Sequence, residues 1–251
     1  MRLAPFAATL LAFSCDACAG SNDVLVASGQ SVGFGGVVSG GVAENLDWIH
    51  RNSAQELIGL GVTHEELADT RLDLARLTGA VGSDNSLQGI AEAGPVVEGT
   101  THYTLVRTTV DGSRSVSPTL RIVGGSQYVK ADRVRNLLLR AGGIWLPVAS
   151  LSVRSEIGRS IGGNLPTRFA SVRGDFVRRV QLYAGASFGK SAQSVVELGD
   201  VKYRRFVDGF VGIAIPVSGC MIGLCWDRLG LESLVRRTVT FSVSMPIGET
   251  A

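Results

Sequence analysis

Residues 238–247 read Thr-Val-Thr-Phe-Ser-Val-Ser-Met-Pro-Ile, and their alternation decides the fold. Val239, Phe241, Val243, Met245 and Ile247 fall on one side, while Thr238, Thr240, Ser242 and Ser244 fall on the other. Successive side chains of a strand point to opposite faces, so this segment is a ribbon with one greasy side and one hydroxyl side. Working outward, the same period recurs. Ile222, Leu224 and Trp226 alternate with Gly223 and Asp227. Val180, Leu182, Ala184, Ala186 and Phe188 alternate with Gln181, Tyr183, Gly185, Ser187 and Gly189. Leu151 and Val153 alternate with Ser152, Arg154 and Glu156; Leu137, Leu139 and Ala141 oppose Leu138, Arg140 and Gly142. Leu72 and Leu74 oppose Arg71 and Asp73, and Tyr103 and Leu105 oppose Thr104 and Val106 less cleanly.

Turn signals separate these runs. Gly82-Ser83-Asp84-Asn85, Gly162-Gly163-Asn164 and Ser218-Gly219 each mark a reversal, and Asp111-Gly112 is the strongest short hairpin signal. Counting runs between turns predicts roughly 10–14 strands. Residues 21–41 are small and glycine-rich and read as a weak first strand or an ordered tail. Residues 52–67 have some helical periodicity, but Gly59 and Gly61 favour a strand around Glu56 to Val62.

Composition agrees. The chain has 251 residues, 45% hydrophobic and 18% charged, which excludes disorder and a helical membrane bundle. A formal net charge of +2 predicts neither a nucleic-acid partner nor an acidic ligand. Glycine is abundant, with 32 residues spread through apolar stretches, and a glycine in a helix interior costs about 1 kcal/mol relative to alanine. A large sheet is the natural host for so many. Residues 1–19 read as a signal peptide: Arg2, an apolar core from Ala4 to Phe13, and Ala17-Cys18-Ala19 in the small-x-small form. Residues 20–251 then form a single domain, with Cys220 and Cys225 as its cysteines. In one extended strand those two would lie roughly 16 Å apart, beyond bridging; a tight turn between them would permit a disulfide.

Two architectures fit many alternating strands: a periplasmic sandwich with its apolar face inside, and a membrane barrel with its apolar face to lipid. Three features favour an all-β, closed, antiparallel up-and-down transmembrane barrel in the outer membrane. Charges of both signs sit in mid-strand on the polar face: Arg71 with Asp73, Arg154 with Glu156, Arg173 with Asp175, and Arg205 near Asp208. A narrow lumen wants such charges paired across it. The length suits about 12 strands. The leader sends the chain to the compartment where such barrels live. Two features weigh against it. Aromatics are only 6%, so Trp48, Trp145 and Trp226 with Tyr103 and Tyr183 make a thin girdle at most. The sequence also closes on Gly248-Glu249-Thr250-Ala251 rather than on an aromatic.

The segments VQLYAGASFGKSAQ, VKYRRFVDGFVGIAIPV, CMIGLCWDRLGLES and RRTVTFSVSMPIG, between Val180 and Gly248, resemble the final strands of YaiO-type outer-membrane barrels. The resemblance covers about the last third and implies an outer-membrane barrel without catalytic residues to carry over. Since some relatives occur beside exopolysaccharide machinery, it also implies a surface polysaccharide as a partner, alongside outer-membrane lipid.

Chemistry-bearing motifs are scarce. His64 precedes Glu65-Glu66 but lacks the second histidine of a zinc helix. Gly33-Phe34-Gly35-Gly36 is not followed by the Lys-Ser/Thr of a nucleotide loop. A barrel hydrolase would need His102 beside Ser117 or Ser152. The expectation is therefore a non-enzyme without cofactor or metal, with a structural, narrow-pore or surface-interaction role. Its one singled-out set is a lumenal charge network of Arg154, Glu156, Arg173, Asp175, Arg205 and Asp227, which either plugs the lumen or selects ions.

Overall fold

The computed structural model describes residues 23–247 apart from 36–40, 54–55, 68–69, 84, 133, 164–165, 196–199 and 232–233. The predicted leader lies outside the described residues. Fourteen strands follow one another: β1 Asp23–Gly35, β2 Gly41–Ser53, β3 Glu56–Leu67, β4 Thr70–Val81, β5 Asn85–Glu98, β6 Thr101–Ser117, β7 Leu120–Ala131, β8 Val134–Val148, β9 Leu151–Gly163, β10 Thr167–Val177, β11 Gln181–Val195, β12 Asp200–Val217, β13 Cys220–Leu231 and β14 Leu234–Ile247. Each pairs antiparallel with its sequence neighbours, and β1 pairs with β14, so the sheet closes without an edge. Closure satisfies every strand's outer hydrogen-bonding row, which an open sheet in hydrocarbon cannot do.

The top rim is where each odd strand runs into the next even one; the bottom rim holds the even-to-odd links together with Asp23 and Ile247. Links are short at both rims. Gly82 and Gly219 take the left-handed conformation in two bottom turns, at φ 92 and φ 82. The Asp111-Gly112 signal proves misleading. It sits inside β6, where alternation continues unbroken, and the chain reverses at Pro118-Thr119 instead.

The greasy sides face outward. Leu182 is 47% exposed, Phe241 51%, Leu224 51% and Ile157 67%. Together with Leu60, Val62, Leu77, Val110, Ile122, Leu139, Phe188, Val207, Val211 and Val239 they form an exterior apolar belt. Trp48, Trp145 and Trp226 belong to it, and Trp48 stacks on His50 at 5.9 Å, which in turn meets Asp23 at 3.0 Å near the bottom rim. Tyr103 and Tyr183 point inward and are no part of a girdle.

The buried apolar residues line the interior. Val24, Val26, Ile49, Leu57, Ala214 and Met221 pack together inside the bottom rim, with Ala80 against them. Cys220 and Cys225 share β13, and both are free thiols. Five residues apart on an extended strand, they face opposite sides of the wall and are out of bridging range.

Candidate functional site

The lumen is the one interior surface the fold creates, and its wall has two distinct halves. On β2–β6, Arg76 is the hub, with only 6% of its surface exposed. Its Nη1 donates to both oxygens of Asp47 at 2.8 and 3.0 Å, its Nε donates to Glu92 at 2.9 Å, and its Nη2 donates to Thr63 at 2.8 Å. Arg107 donates to the other oxygen of Glu92. Thr63 donates to Asn45 at 2.7 Å, and Asn45 donates to Ser28 at 3.3 Å, so the network reaches from β1 to β6. Two carboxylates and two guanidiniums balance in charge, which a low-dielectric wall requires.

The facing half, β9–β13, is aromatic. Tyr183 and Phe210 lie 6.3 Å apart at 47°, and the Arg173 guanidinium sits over both rings at 5.3 and 5.8 Å. Such a cation–π contact adds roughly 0.5–2 kcal/mol, more when water is excluded. Arg173 also grips Asp175 at 2.5–2.9 Å through Nε and Nη2. Between the halves, Arg140 on β8 donates to Asp111 on β6 at 2.6 Å, and Arg154 donates to Glu156 at 2.8 Å. Arg236 stands 3.6 Å from Asp227.

Glycine explains how these side chains lie. Asp47 is directly across the ladder from Gly61, Asp111 from Gly125, Glu156 from Gly142, Phe169 from Gly158, Tyr183 from Gly212, and Phe210 from Gly185. In each case a Cβ on the glycine would collide with that partner's side chain. Each long inward side chain therefore lies flat over a bare stretch of the neighbouring strand. The ion pairs named above join residues of one strand or of strands at most two apart. Sequence reasoning expected pairing across the lumen; these pairs run along the wall.

Of the sequence-derived set, Arg154, Glu156, Arg173, Asp175 and Asp227 face inward, in contact with the partners just described. Arg205 does not. It shares the outward side of β12 with Val207 and Val211 and is exposed. Arg71 and Asp73 are likewise outward, bonded to each other at 3.0 Å, with His64 at 2.6 Å from Asp73, while Leu72 and Leu74 face in. Near a rim an outward position has left the hydrocarbon, so a charge is tolerated there. The Arg76 hub escaped sequence reading because Arg76, Asp47 and Glu92 come from three separate strands, with nothing local to link them. His102 is exposed on the outer face near the top rim, whereas Ser117 and Ser152 lie toward the bottom, so no hydrolase constellation forms from them.

No protein-family model and no curated protein sequence matches the chain. Solved structures do match. A structure described as the CymD monoaromatic hydrocarbon channel superposes with a TM-score of 0.64 at 10% identity, covering 96% of this chain and 93% of that one. A deletion mutant of the TodX monoaromatic hydrocarbon channel gives 0.63 at 10% identity, covering 93% of each. A bacterial polysaccharide outer membrane secretin gives 0.54 at 9% identity, covering 91% of this chain and 99% of that one. At such identities the likeness carries the fold, that of an outer-membrane barrel, and the YaiO-type family is not among these neighbours.

Proposed function

We propose that the barrel is a narrow pore for small polar solutes in the outer membrane, delivered there by the leader at residues 1–19. The observation that carries this reading is the flat packing of lumenal side chains over glycines, with charges neutralised along the wall. The ion pairs run along the wall and not across it, and the apolar cluster inside the bottom rim narrows the passage there. Eight-stranded barrels are filled by side chains and 16–18-stranded ones hold aqueous channels, so fourteen strands suit a restricted passage.

The two halves of the wall suggest what passes. A charge-balanced network gives little net field to attract ions of one sign. Tyr183 and Phe210, with Arg173 over them, make one side of the wall aromatic, and the Arg76–Asp47–Thr63 network makes the opposite side polar. That combination suits a solute with an apolar ring face and hydroxyls, sugars included, and gives the YaiO-type resemblance and its polysaccharide association a physical footing. Among the neighbours, the polysaccharide secretin bears a compatible description, whereas a hydrocarbon cargo fits the charged wall poorly.

Reconstitution in planar bilayers tests the proposal. Discrete low-conductance steps with weak ion selectivity are expected, together with swelling of loaded liposomes in small sugars. A protein that inserts with heat-modifiable mobility yet neither conducts nor permits swelling overturns the pore.

A further inference from the structure

The outer face near the top rim carries a row of cations that the pore does not use. Arg159 on β9 is directly opposite Arg168 on β10, Arg168 is opposite Lys190 on β11, and Lys190 is opposite Arg205 on β12. On the next two strands Arg228 faces Arg237. Directly opposed residues in an antiparallel ladder have Cα atoms only about 4.5–5.5 Å apart, and like charges so placed destabilise a sheet. Lys190 and Arg205 also have interactions of their own within the chain; Arg159 and Arg168, directly opposed, concentrate positive charge in the row and favour an anion. All but the half-exposed Lys190 are exposed.

Their position identifies the anion's setting. Each cation stands one outward step toward the rim from a residue of the exterior belt: Ile157 below Arg159, Ala170 below Arg168, Phe188 below Lys190, Val207 below Arg205, Trp226 below Arg228 and Val239 below Arg237. Phe188, Val207 and Ile157 are 60%, 64% and 67% exposed. That junction is where acyl chains end and headgroups begin. The outward rim of β2–β4 is different, with Glu44, Glu66 and Asp73 beside His64 and Arg71. On β7 and β8, Lys130 faces Arg135 in the same outward, exposed position, so the basic row is an arc over β7–β14 and not a general collar.

We propose that the top-rim faces of β9–β14 bind the phosphate groups of a phosphorylated glycolipid in the adjoining leaflet. Arginine forks match phosphate geometry in two-point contacts. A headgroup bearing more than one phosphate bridges neighbouring strands, and the belt residues below hold its acyl chains. This inference uses the membrane barrel but not the pore, so conductance and lipid binding fail or succeed separately.

The probe is lipid A presented to the refolded full-length barrel in phosphatidylcholine nanodiscs, with bound lipid counted by native mass spectrometry. Arg159, Arg168, Lys190 and Arg205 are changed together to Gln, and Arg114→Gln serves as control, because Arg114 is outward at the bottom rim. Retained heat-modifiable mobility verifies folding. Each basic side chain near an anionic lipid surface adds binding, so the fourfold variant is expected to hold lipid A on the order of a hundredfold more weakly, with the control unchanged. In the wild type, retention should fall steeply with salt, a measurement independent of any variant's folding. Equal retention by wild type and the fourfold variant overturns the proposal. So does salt-independent retention, or a preference for a soluble anionic polysaccharide over lipid A.

Discussion

Inside the wall, Arg76 touches two carboxylates, Asp47 and Glu92; outside it, Arg168 has Arg159 on one side and Lys190 on the other. The same residue type is thus handled in two ways a wall's thickness apart. In the lumen, Arg76 and Glu92 side chains are 5% and 4% exposed, so bulk water does little to screen them and each charge needs a partner from the chain itself. At the outer rim, water and headgroups surround the charge instead. Burial, rather than charge, decides whether the protein must provide the counter-ion.

The largest effect should come from breaking the inner side of this contrast. Arg76→Met strips Asp47 and Glu92 of their shared partner while keeping much of the side-chain volume. Loss of one member of a buried ion network costs about 3–5 kcal/mol. Reversible urea unfolding in lipid vesicles should register that loss, and the double change with Asp47→Asn should recover part of it. An R76M barrel as stable as the wild type would mean that solvent already screens this network.

The next effect tests which face is which. Phe241 lies outward in the middle of β14, and Thr240 lies inward beside it. A lysine on the lipid face at the midplane costs about 2–4 kcal/mol, whereas a lumenal lysine meets polar neighbours. Phe241→Lys should therefore unfold at clearly lower urea than Thr240→Lys. The reverse order would turn the wall inside out.

How far the sequence disclosed all this can be followed along individual strands. In β11 and β14 polarity and facing coincide: Leu182 and Phe241 are out, Gln181 and Thr238 are in, and alternation alone finds both faces. In β4 they part company. Leu74 is 2% exposed and lumenal, whereas Arg71 and Asp73 are outward, because the lumen tolerates apolar lining and the rim tolerates charge. A period of two reports alternation but not its sign once the strand leaves the hydrocarbon. Arg205 follows the same logic. Asp111-Gly112 misled for another reason: Asp111 is needed to meet Arg140, and turn chemistry yields to a continuous ladder. The glycines opposite Asp47, Tyr183 and Phe210 were legible only as an excess, since their purpose depends on register across strands.

Those glycines give a third, smaller test, on the aromatic half. Gly212 faces in, beneath the Tyr183 ring. Gly212→Leu should push that ring off the wall and into the passage, costing about 1–3 kcal/mol through overpacking. Single-channel conductance should drop, and the Arg173 contact with Tyr183 should loosen. Gly209→Leu is the matched control, because Gly209 is outward with only a distant backbone oxygen near its missing Cβ. Unchanged conductance in the Gly212 variant would show that Tyr183 does not border the conducting path.

The smallest effect belongs to the outer rim, and its smallness is informative. Arg159→Gln alone removes one cation from a row in which its partner across the ladder is another cation. Exposed charges away from special features change stability within about 0.5 kcal/mol, and relief of like-charge repulsion pushes the sign toward stabilisation. In phosphatidylcholine the variant should thus unfold at the same urea as the wild type, or slightly higher. In lipid A the sign should reverse, since the removed guanidinium then had a phosphate to bind. A lipid-dependent sign change separates a rim tuned to its leaflet from one that merely tolerates its charges.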